Sequence, residues 1–198
     1  MLQYLQIACY CLRSLILLLI VLIISVHALA VLTYPSLFIR SIHALNIRGT
    51  NQADNLTGTL ENDRFIGSGG NDFLTGLQGD DRFDGGRGND TLTGSAGNDY
   101  ILGGGDHDII RGEEGNDEVE GENGNDNISG GSGDDILVGG EGIDVLNGDE
   151  GDDNLFGSPG NDTLTGGPGS DYFDCGLNKG KILDFNIVEG DARSQTCN

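Results

Sequence analysis

The chain has 198 residues and carries 32 acidic against 10 basic side chains, for a formal net charge of −22. Nucleic acid is excluded as a partner, because its phosphate backbone repels such a chain. A sequence with 35 glycines and this charge buries too little apolar surface to offset the entropy of ordering, so composition alone predicts disorder.

Residues 1–30 form the first predicted element, a signal peptide or an N-terminal membrane anchor. Arg13 precedes the uncharged apolar run SLILLLIVLIISV, and small residues follow at Ala28 and Ala30. This pattern predicts a secretory signal peptide that is cleaved after Ala30. An uncleaved anchor is the alternative, because the apolar stretch approaches the roughly 20 residues that span a bilayer. Both interpretations place the rest of the chain outside the cytoplasm, with membrane contact only through this segment.

Residues 31–48 are predicted to be a linker or an N-terminal cap, and residues 49–174 contain fourteen copies of one nine-residue frame. Each copy has Gly at its first position, Asp at its sixth and an apolar residue at its eighth, as in GGRGNDTLT from Gly85 to Thr93. Gly/Asp periodicity of this length is typical of a parallel β-helix that binds calcium. The frame therefore predicts a repeating all-β solenoid.

Each repeat is expected to form a six-residue turn followed by a three-residue strand whose middle side chain points inward. Two strands and two turns complete a coil of eighteen residues, so fourteen repeats give about seven coils. The predicted fold is an all-β, parallel β-roll, a right-handed solenoid with a thin apolar core from the eighth position.

The turns carry the candidate metal ligands. Gly is present at the first position of every repeat and at the fourth position of eleven, which is expected to permit positive φ and to bring carbonyl oxygens together. Carboxylate and carbonyl oxygens suit Ca²⁺, whereas zinc and copper are disfavoured because the array has one histidine and no cysteine. Stacking each turn on the turn two repeats later allows at most about twelve calcium ions, whose binding would also drive folding.

The array resembles the hemolysin-type calcium-binding repeats of RTX proteins, whose consensus is GGxGxDxUx and whose fold is the parallel β-roll. The resemblance covers residues 49–174. It implies that turn carbonyls and sixth-position aspartates bind calcium between successive coils; a solvated acidic surface without metal is the alternative. The ligands implied are Asp54, Asp63, Asp72, Asp81, Asp90, Asp99, Asp108, Asp117, Asp126, Asp135, Asp144, Asp153, Asp162 and Asp171.

Departures from the frame predict local differences. Gln52, Glu61 and Asp106 replace the fourth-position Gly, so weaker binding is expected in the first coil and near His107. The second position holds Gly in only five repeats and is expected to be less restricted. His107 is interpreted as a turn residue in place of Asn rather than as a ligand, because no His or Cys partner lies near it in the sequence.

Residues 175–198 are predicted to be a C-terminal cap. The segment Lys181–Asp191 resembles the D-F-x-x-x-x-G-D ending that often follows such arrays, and it is expected to cover the open end of the roll. Asp184 and Asp191 are either additional ligands or purely capping residues. Cys175 and Cys197 are expected to form a disulfide in an exported chain, with two free thiols as the alternative.

The sequence does not support catalysis, because it lacks H-E-x-x-H and G-x-S-x-G and the chain is not expected to be an enzyme. The predicted function is calcium binding by an exported, calcium-stabilised structural or interaction module of the cell surface or extracellular space. One alternative is a calcium-dependent adhesin that recognises a surface or polysaccharide, and another is a fragment or accessory of an RTX enzyme or toxin.

The adhesin alternative depends on the strands of the even-numbered repeats, whose outward positions are partly apolar. Such a face could contact a partner, although β-branched and aromatic residues also suit strands in general. The residues concerned are Ile66, Tyr100, Leu102, Ile136, Val138, Phe156 and Tyr172.

Overall fold

A computed structural model describes residues 44–177 and 180–197 of the chain. Within these residues the secondary structure consists of short strands, and no helix is long and apolar enough to cross a membrane. The predicted signal peptide or anchor at residues 1–30 lies outside the described residues. The strands are β1 (Asn46–Arg48), β2 (Asn55–Thr57), β3 (Arg64–Gly69), β4 (Phe73–Gln78), β5 (Arg82–Arg87), β6 (Thr91–Ala96), β7 (Tyr100–Gly105), β8 (Ile109–Glu114), β9 (Glu118–Asn123), β10 (Asn127–Ser132), β11 (Ile136–Val138), β12 (Val145–Glu150), β13 (Asn154–Phe156), β14 (Thr163–Thr165), β15 (Tyr172–Asp174), β16 (Lys181–Ile182) and β17 (Ala192–Arg193).

The strands form two parallel sheets that alternate along the chain. Odd-numbered strands make a nine-stranded sheet in sequence order, and even-numbered strands make an eight-stranded sheet. Within the repeats, each strand pairs with the strand eighteen residues away, so that Phe65 faces Phe83 and Leu74 faces Leu92. This register confirms the predicted eighteen-residue coil and the all-β parallel β-roll. The roll has about eight turns rather than seven, because β1 precedes the repeats and β16 and β17 follow them.

The core consists of eighth-position side chains between the two sheets, one row from each sheet. From Phe65 to Phe173 each of these side chains is buried, and the Phe65 and Phe83 rings stack with their centroids 4.6 Å apart. Leu56 at one end and Ile182 at the other pack against these rows and are partly buried. A core of only one row of side chains from each sheet buries little area per residue, so the turns must contribute to stability.

Many strands are longer than the three residues predicted. In β3, the ladder continues past Gly67 to Ser68 and Gly69, which pair with Gly86 and Arg87 of β5. In the six-residue strands, the first three residues of the following repeat thus extend the strand. Their Gly, Ser and Glu side chains carry little strand propensity, which is why composition did not reveal the extension.

The C-terminal segment closes one end of the roll. β16 pairs with β14, β17 pairs with β15, and Cys175 and Cys197 form a disulfide. Asp184 accepts hydrogen bonds from the Gly166 and Gly167 amides at 3.0 and 2.8 Å. These contacts are those of a capping residue, because they pair amides that the last coil leaves open.

Candidate metal centre

The sixth-position aspartates stack in two columns, one for each set of turns. From Asp72 to Asp171 each Oδ1 accepts a hydrogen bond from the amide of the aspartate eighteen residues earlier, as from Asp81 to Asp99 and from Asp99 to Asp117, both at 2.7 Å. From Asp63 to Asp171 these side chains are no more than 3% exposed. Asp191 of the cap extends one column, because its Oδ1 accepts from the Asp171 amide at 3.1 Å. The columns therefore hold every predicted ligand at equivalent places in successive coils.

The second carboxylate oxygen distinguishes most of these aspartates. Twelve Oδ2 atoms are buried and have no hydrogen-bond partner in the structure. Burying an ionised oxygen without a partner costs several kcal/mol, so native proteins normally pair such groups or bind a metal to them. The twelve belong to Asp72, Asp81, Asp90, Asp99, Asp108, Asp117, Asp126, Asp135, Asp144, Asp153, Asp162 and Asp171.

The first-position glycines allow the backbone to approach these oxygens closely. A Cβ on Gly112 would lie 2.0 Å from Asp117 Oδ2 and 2.6 Å from the carbonyl oxygen of Gly130. A carboxylate oxygen and a carbonyl oxygen of the next coil thus converge on a place that any side chain would fill. The expected positive φ at the first position was wrong, because the backbone there is ordinary and close approach is what requires Gly.

Left-handed backbone occurs instead at most second and fourth positions. Gly115, at a fourth position, has φ of 132°, as the sequence predicted. The second position is also left-handed from Ser68 onward, including Leu77 at 90° and Glu113 at 83°. The expectation that this position is less restricted was therefore wrong, since it holds non-glycine residues in a strained conformation.

Burial raises the pKa of the column carboxyl groups above the ordinary value of 3.8. The pKa rises to about 7 in Asp99, Asp108 and Asp135, and to about 6 in Asp81 and Asp90. Desolvation is the main cause, the hydrogen bond from the neighbouring aspartate amide opposes it, and the like charges along the column add to it. Without a cation, the folded turns therefore disfavour ionised aspartates, and a bound cation would reverse that preference.

Apart from His107, the groups of the turns that could bind a metal offer oxygen atoms. No group of three or more His, Cys, Asp or Glu side chains among residues 44–177 and 180–197 is arranged to hold a metal, so carboxylates alone do not complete a site. Backbone carbonyls such as Gly130 O would have to supply further ligands, and a mixed carboxylate and carbonyl set is what Ca²⁺ prefers. The residues present fit calcium and do not fit zinc or copper.

A second ladder of hydrogen bonds lies at the fifth position. Here most fifth-position amides donate to the side chain eighteen residues earlier, as from Asn98 to Asp80 Oδ1 at 3.0 Å, so this ladder runs opposite to the aspartate columns. His107 belongs to it: its amide donates to Asn89 Oδ1 and its Nδ1 accepts from the Asn125 amide at 2.8 Å. His107 is thus a turn residue in place of Asn, as predicted. The ladder itself was missed, although Asn or Asp at most fifth positions was a usable signal.

Asp54 and Asp63 differ from the twelve later aspartates. Asp54 is only partly buried, and its Oδ2 accepts hydrogen bonds from the amide and hydroxyl of Thr50. The Oδ2 of Asp63 accepts the equivalent pair from Thr59. The first coil therefore already provides partners for the oxygens that later coils leave unpaired.

A family model described as RTX calcium-binding nonapeptide repeat (4 copies) matches residues 48–83, 75–110, 84–119, 111–146 and 147–177. These matches together cover more than half of the 198 residues. The chain belongs to the RTX calcium-binding nonapeptide repeat family. No curated protein matches it. The resemblance found in the sequence is confirmed, and calcium is the ion that RTX repeats bind.

Proposed function

We propose that this RTX chain is an exported structural or interaction module whose β-roll is ordered by calcium ions held in its turns. The observation that carries the proposal is the set of twelve buried, unpaired Oδ2 atoms, from Asp72 to Asp171. Each lies against a first-position Gly, beside a carbonyl oxygen of the next coil in most turns, at a place where any side chain would clash. A binding site at each of these aspartates would give up to about twelve ions, and Asp54 and Asp63 are considered separately below.

Calcium binding and folding are expected to be one process. The core is thin, the chain carries −22, and the columns place carboxylates from successive coils close together. Cations between the coils would remove the repulsion and satisfy the buried oxygens, so their binding free energy becomes folding free energy. A repeat roll of this kind supplies structure rather than a catalytic cleft, which favours a structural or binding role over an enzyme.

The ligand assignment is tested with two neighbouring residues that bear the same charge. Asp117→Asn removes a buried column carboxylate, whereas Glu118→Gln removes an exposed one on the outer face of β9. Isothermal titration with calcium should show fewer ions bound and a weaker midpoint for Asp117→Asn, with Glu118→Gln like the wild type. An equal loss in both variants would mean that calcium responds to net charge, and the ligand assignment would fail.

Export is supported by the disulfide, by the expected need for calcium and by the N-terminal segment. The disulfide between Cys175 and Cys197 is favoured in an oxidising compartment, and millimolar calcium is an extracellular condition. The apolar N-terminal segment predicts the route. N-terminal sequencing of the exported protein should begin at Val31 if the signal peptide is cleaved. Recovery of the protein from the cytoplasm alone would contradict export, and an intact N-terminus in the membrane fraction would identify an anchor.

A second candidate function, adhesion to an acidic polysaccharide, is favoured by a basic patch on the odd-strand sheet. Arg64 and Arg82 are register partners on adjacent strands, and Tyr100 follows in the same file. The Arg82 guanidinium carbon lies 5.9 Å from the Tyr100 ring centroid. Together with Asp84 and Leu102 these residues line a shallow cleft of about 130 Å³. Two arginines directly opposite each other repel and do not stabilise the sheet. The Arg64 and Arg82 pair therefore favours an anionic ligand that also contacts the Tyr100 ring.

The adhesion candidate has a matched control on the opposite sheet. The double variant Arg64→Glu and Arg82→Glu should lose at least tenfold in affinity for polygalacturonate in calcium, measured by titration at low salt. Arg111→Glu, an exposed residue of β8, should retain the wild-type affinity. Binding that is absent in the wild type, or lost equally in both variants, would leave only the structural role.

A further inference from the structure

The first two repeats satisfy their aspartates without an ion. Thr50 donates its amide to Asp54 Oδ2 at 2.6 Å and its hydroxyl to the same oxygen at 2.9 Å. Thr59 donates to Asp63 Oδ2 at 2.6 and 3.0 Å in the same manner. The other oxygen of Asp63 accepts from the Leu45 amide. All the acceptors of Asp63 that later coils leave open are therefore occupied by N–H and O–H donors.

The backbone of these two turns differs in the same place. Second positions are left-handed from Ser68 to Gly176, whereas Thr50 and Thr59 do not have positive φ. In the left-handed turns the second-position amide no longer reaches Oδ2, which remains unpaired. A left-handed second position and an unpaired Oδ2 therefore both occur first in the third repeat.

The fourth position of the first two repeats also differs from that of the later repeats. Gln52 and Glu61 replace Gly there, and neither has the positive φ found at Gly70 and Gly79. A turn that lacks left-handed residues at both positions directs donors rather than acceptors toward its carboxylate. Such a turn repels a cation, because the partial positive charges of an amide and a hydroxyl already face the oxygen that would bind it.

We infer that Thr50 and Thr59 take the place of cations in the first coil, so that Asp54 and Asp63 are not calcium ligands and the calcium-binding columns begin at Asp72 and Asp81. This inference rests on the proposed function, since it concerns which aspartates bind the ion. It makes the first coil a cap that is closed by hydrogen bonds. The later coils would stack on an end whose turns need no metal.

The experiment compares two aspartates of the same column in the full chain. Asp63 and Asp81 are one coil apart, both are buried, and Asp→Asn changes their charge equally. Calcium bound at saturation, measured by equilibrium dialysis and atomic emission, should be unchanged in Asp63→Asn and lower by at least one ion in Asp81→Asn. Circular dichroism in calcium confirms that both variants are folded.

A second variant keeps the inference testable if Asp63→Asn does not fold. Thr59→Gly removes the hydroxyl and permits the left-handed backbone of the later turns, so it should bind one ion more than the wild type. An equal loss of calcium in Asp63→Asn and Asp81→Asn, or no gain in folded Thr59→Gly, would overturn the inference while leaving the proposed function intact. A wild-type chain that binds no calcium would overturn both.

Discussion

The oxygen atoms around the first-position glycines leave no space for a side chain. At Gly103 a Cβ would lie 2.6 Å from Asp108 Oδ2 and 2.8 Å from the Gly121 carbonyl oxygen. The backbone there is not left-handed, so Gly is needed for space alone. The same oxygens are the candidate calcium ligands, which means that one residue type provides for both the packing of the coils and the binding of the ion.

We predict different effects of substitution at two glycines of β7. Gly103→Ala should destabilise the calcium-loaded protein by about 1–3 kcal/mol and weaken calcium binding, because the methyl group displaces the oxygens. Gly105→Ala should change stability little, because the nearest atom to its Cβ, the Gly86 carbonyl oxygen, is 3.9 Å away. Urea unfolding in calcium measures both, and equal destabilisation would show that the crowding at Gly103 is unimportant.

The pH dependence of the calcium-free protein follows from the buried aspartates. The folded pKa of Asp99 and Asp135 is about 7, above the ordinary value of 3.8, so the folded state holds protons that the unfolded state releases. The contribution of these carboxyl groups to the free energy of unfolding is fully present below pH 3.8, where they are protonated. It is lost as pH rises through about 7. In chelator, circular dichroism should show more strand at pH 4 than at pH 7.5. Strand content that instead increases with pH would contradict the burial of unpaired carboxylates.

Strands and turns repeat so regularly that the coil was predictable from the sequence. The eighth-position rows and the aspartate columns follow from a frame that never slips between Gly49 and Asp174. β1 was not predictable as a strand, because Leu45 occupies the place of the aspartate and only Ile47 keeps the apolar pattern. The donors on Asp54 and Asp63 were also missed, since Thr at a second position carries no signal until the backbone conformation is known.

The C-terminal cap is the element with a covalent bond. The disulfide joins Cys175 to Cys197 across 22 residues, and both cysteines belong to the buried core cluster. Cys197→Ser should lower the free energy of unfolding by about 3 kcal/mol, because the closed loop restricts the unfolded chain. Thermal unfolding of the variant and the wild type in calcium under oxidising conditions measures the effect. Under reducing conditions the two proteins should melt at similar temperatures. If the variant melts at the wild-type temperature under oxidising conditions, the disulfide contributes nothing to the cap.

At the scale of the whole molecule, the roll is a one-dimensional stack in which each coil contacts only its neighbours. The aspartate columns and the fifth-position ladder cross between coils in opposite directions, so each turn is linked to the turn above and the turn below. Solenoids of this kind need protected ends, because an open coil exposes unpaired backbone and core. Here the threonine turns lie at one end and the disulfide-linked cap at the other.

Calcium is expected to turn this acidic, glycine-rich chain into an ordered stack. A calcium titration of the full chain, followed by far-ultraviolet circular dichroism and starting in chelator at neutral pH, examines this expectation. We predict a disordered spectrum without calcium and a cooperative change to a strand spectrum as calcium reaches the millimolar range. A strand spectrum that is already complete in chelator and unchanged by calcium would contradict it.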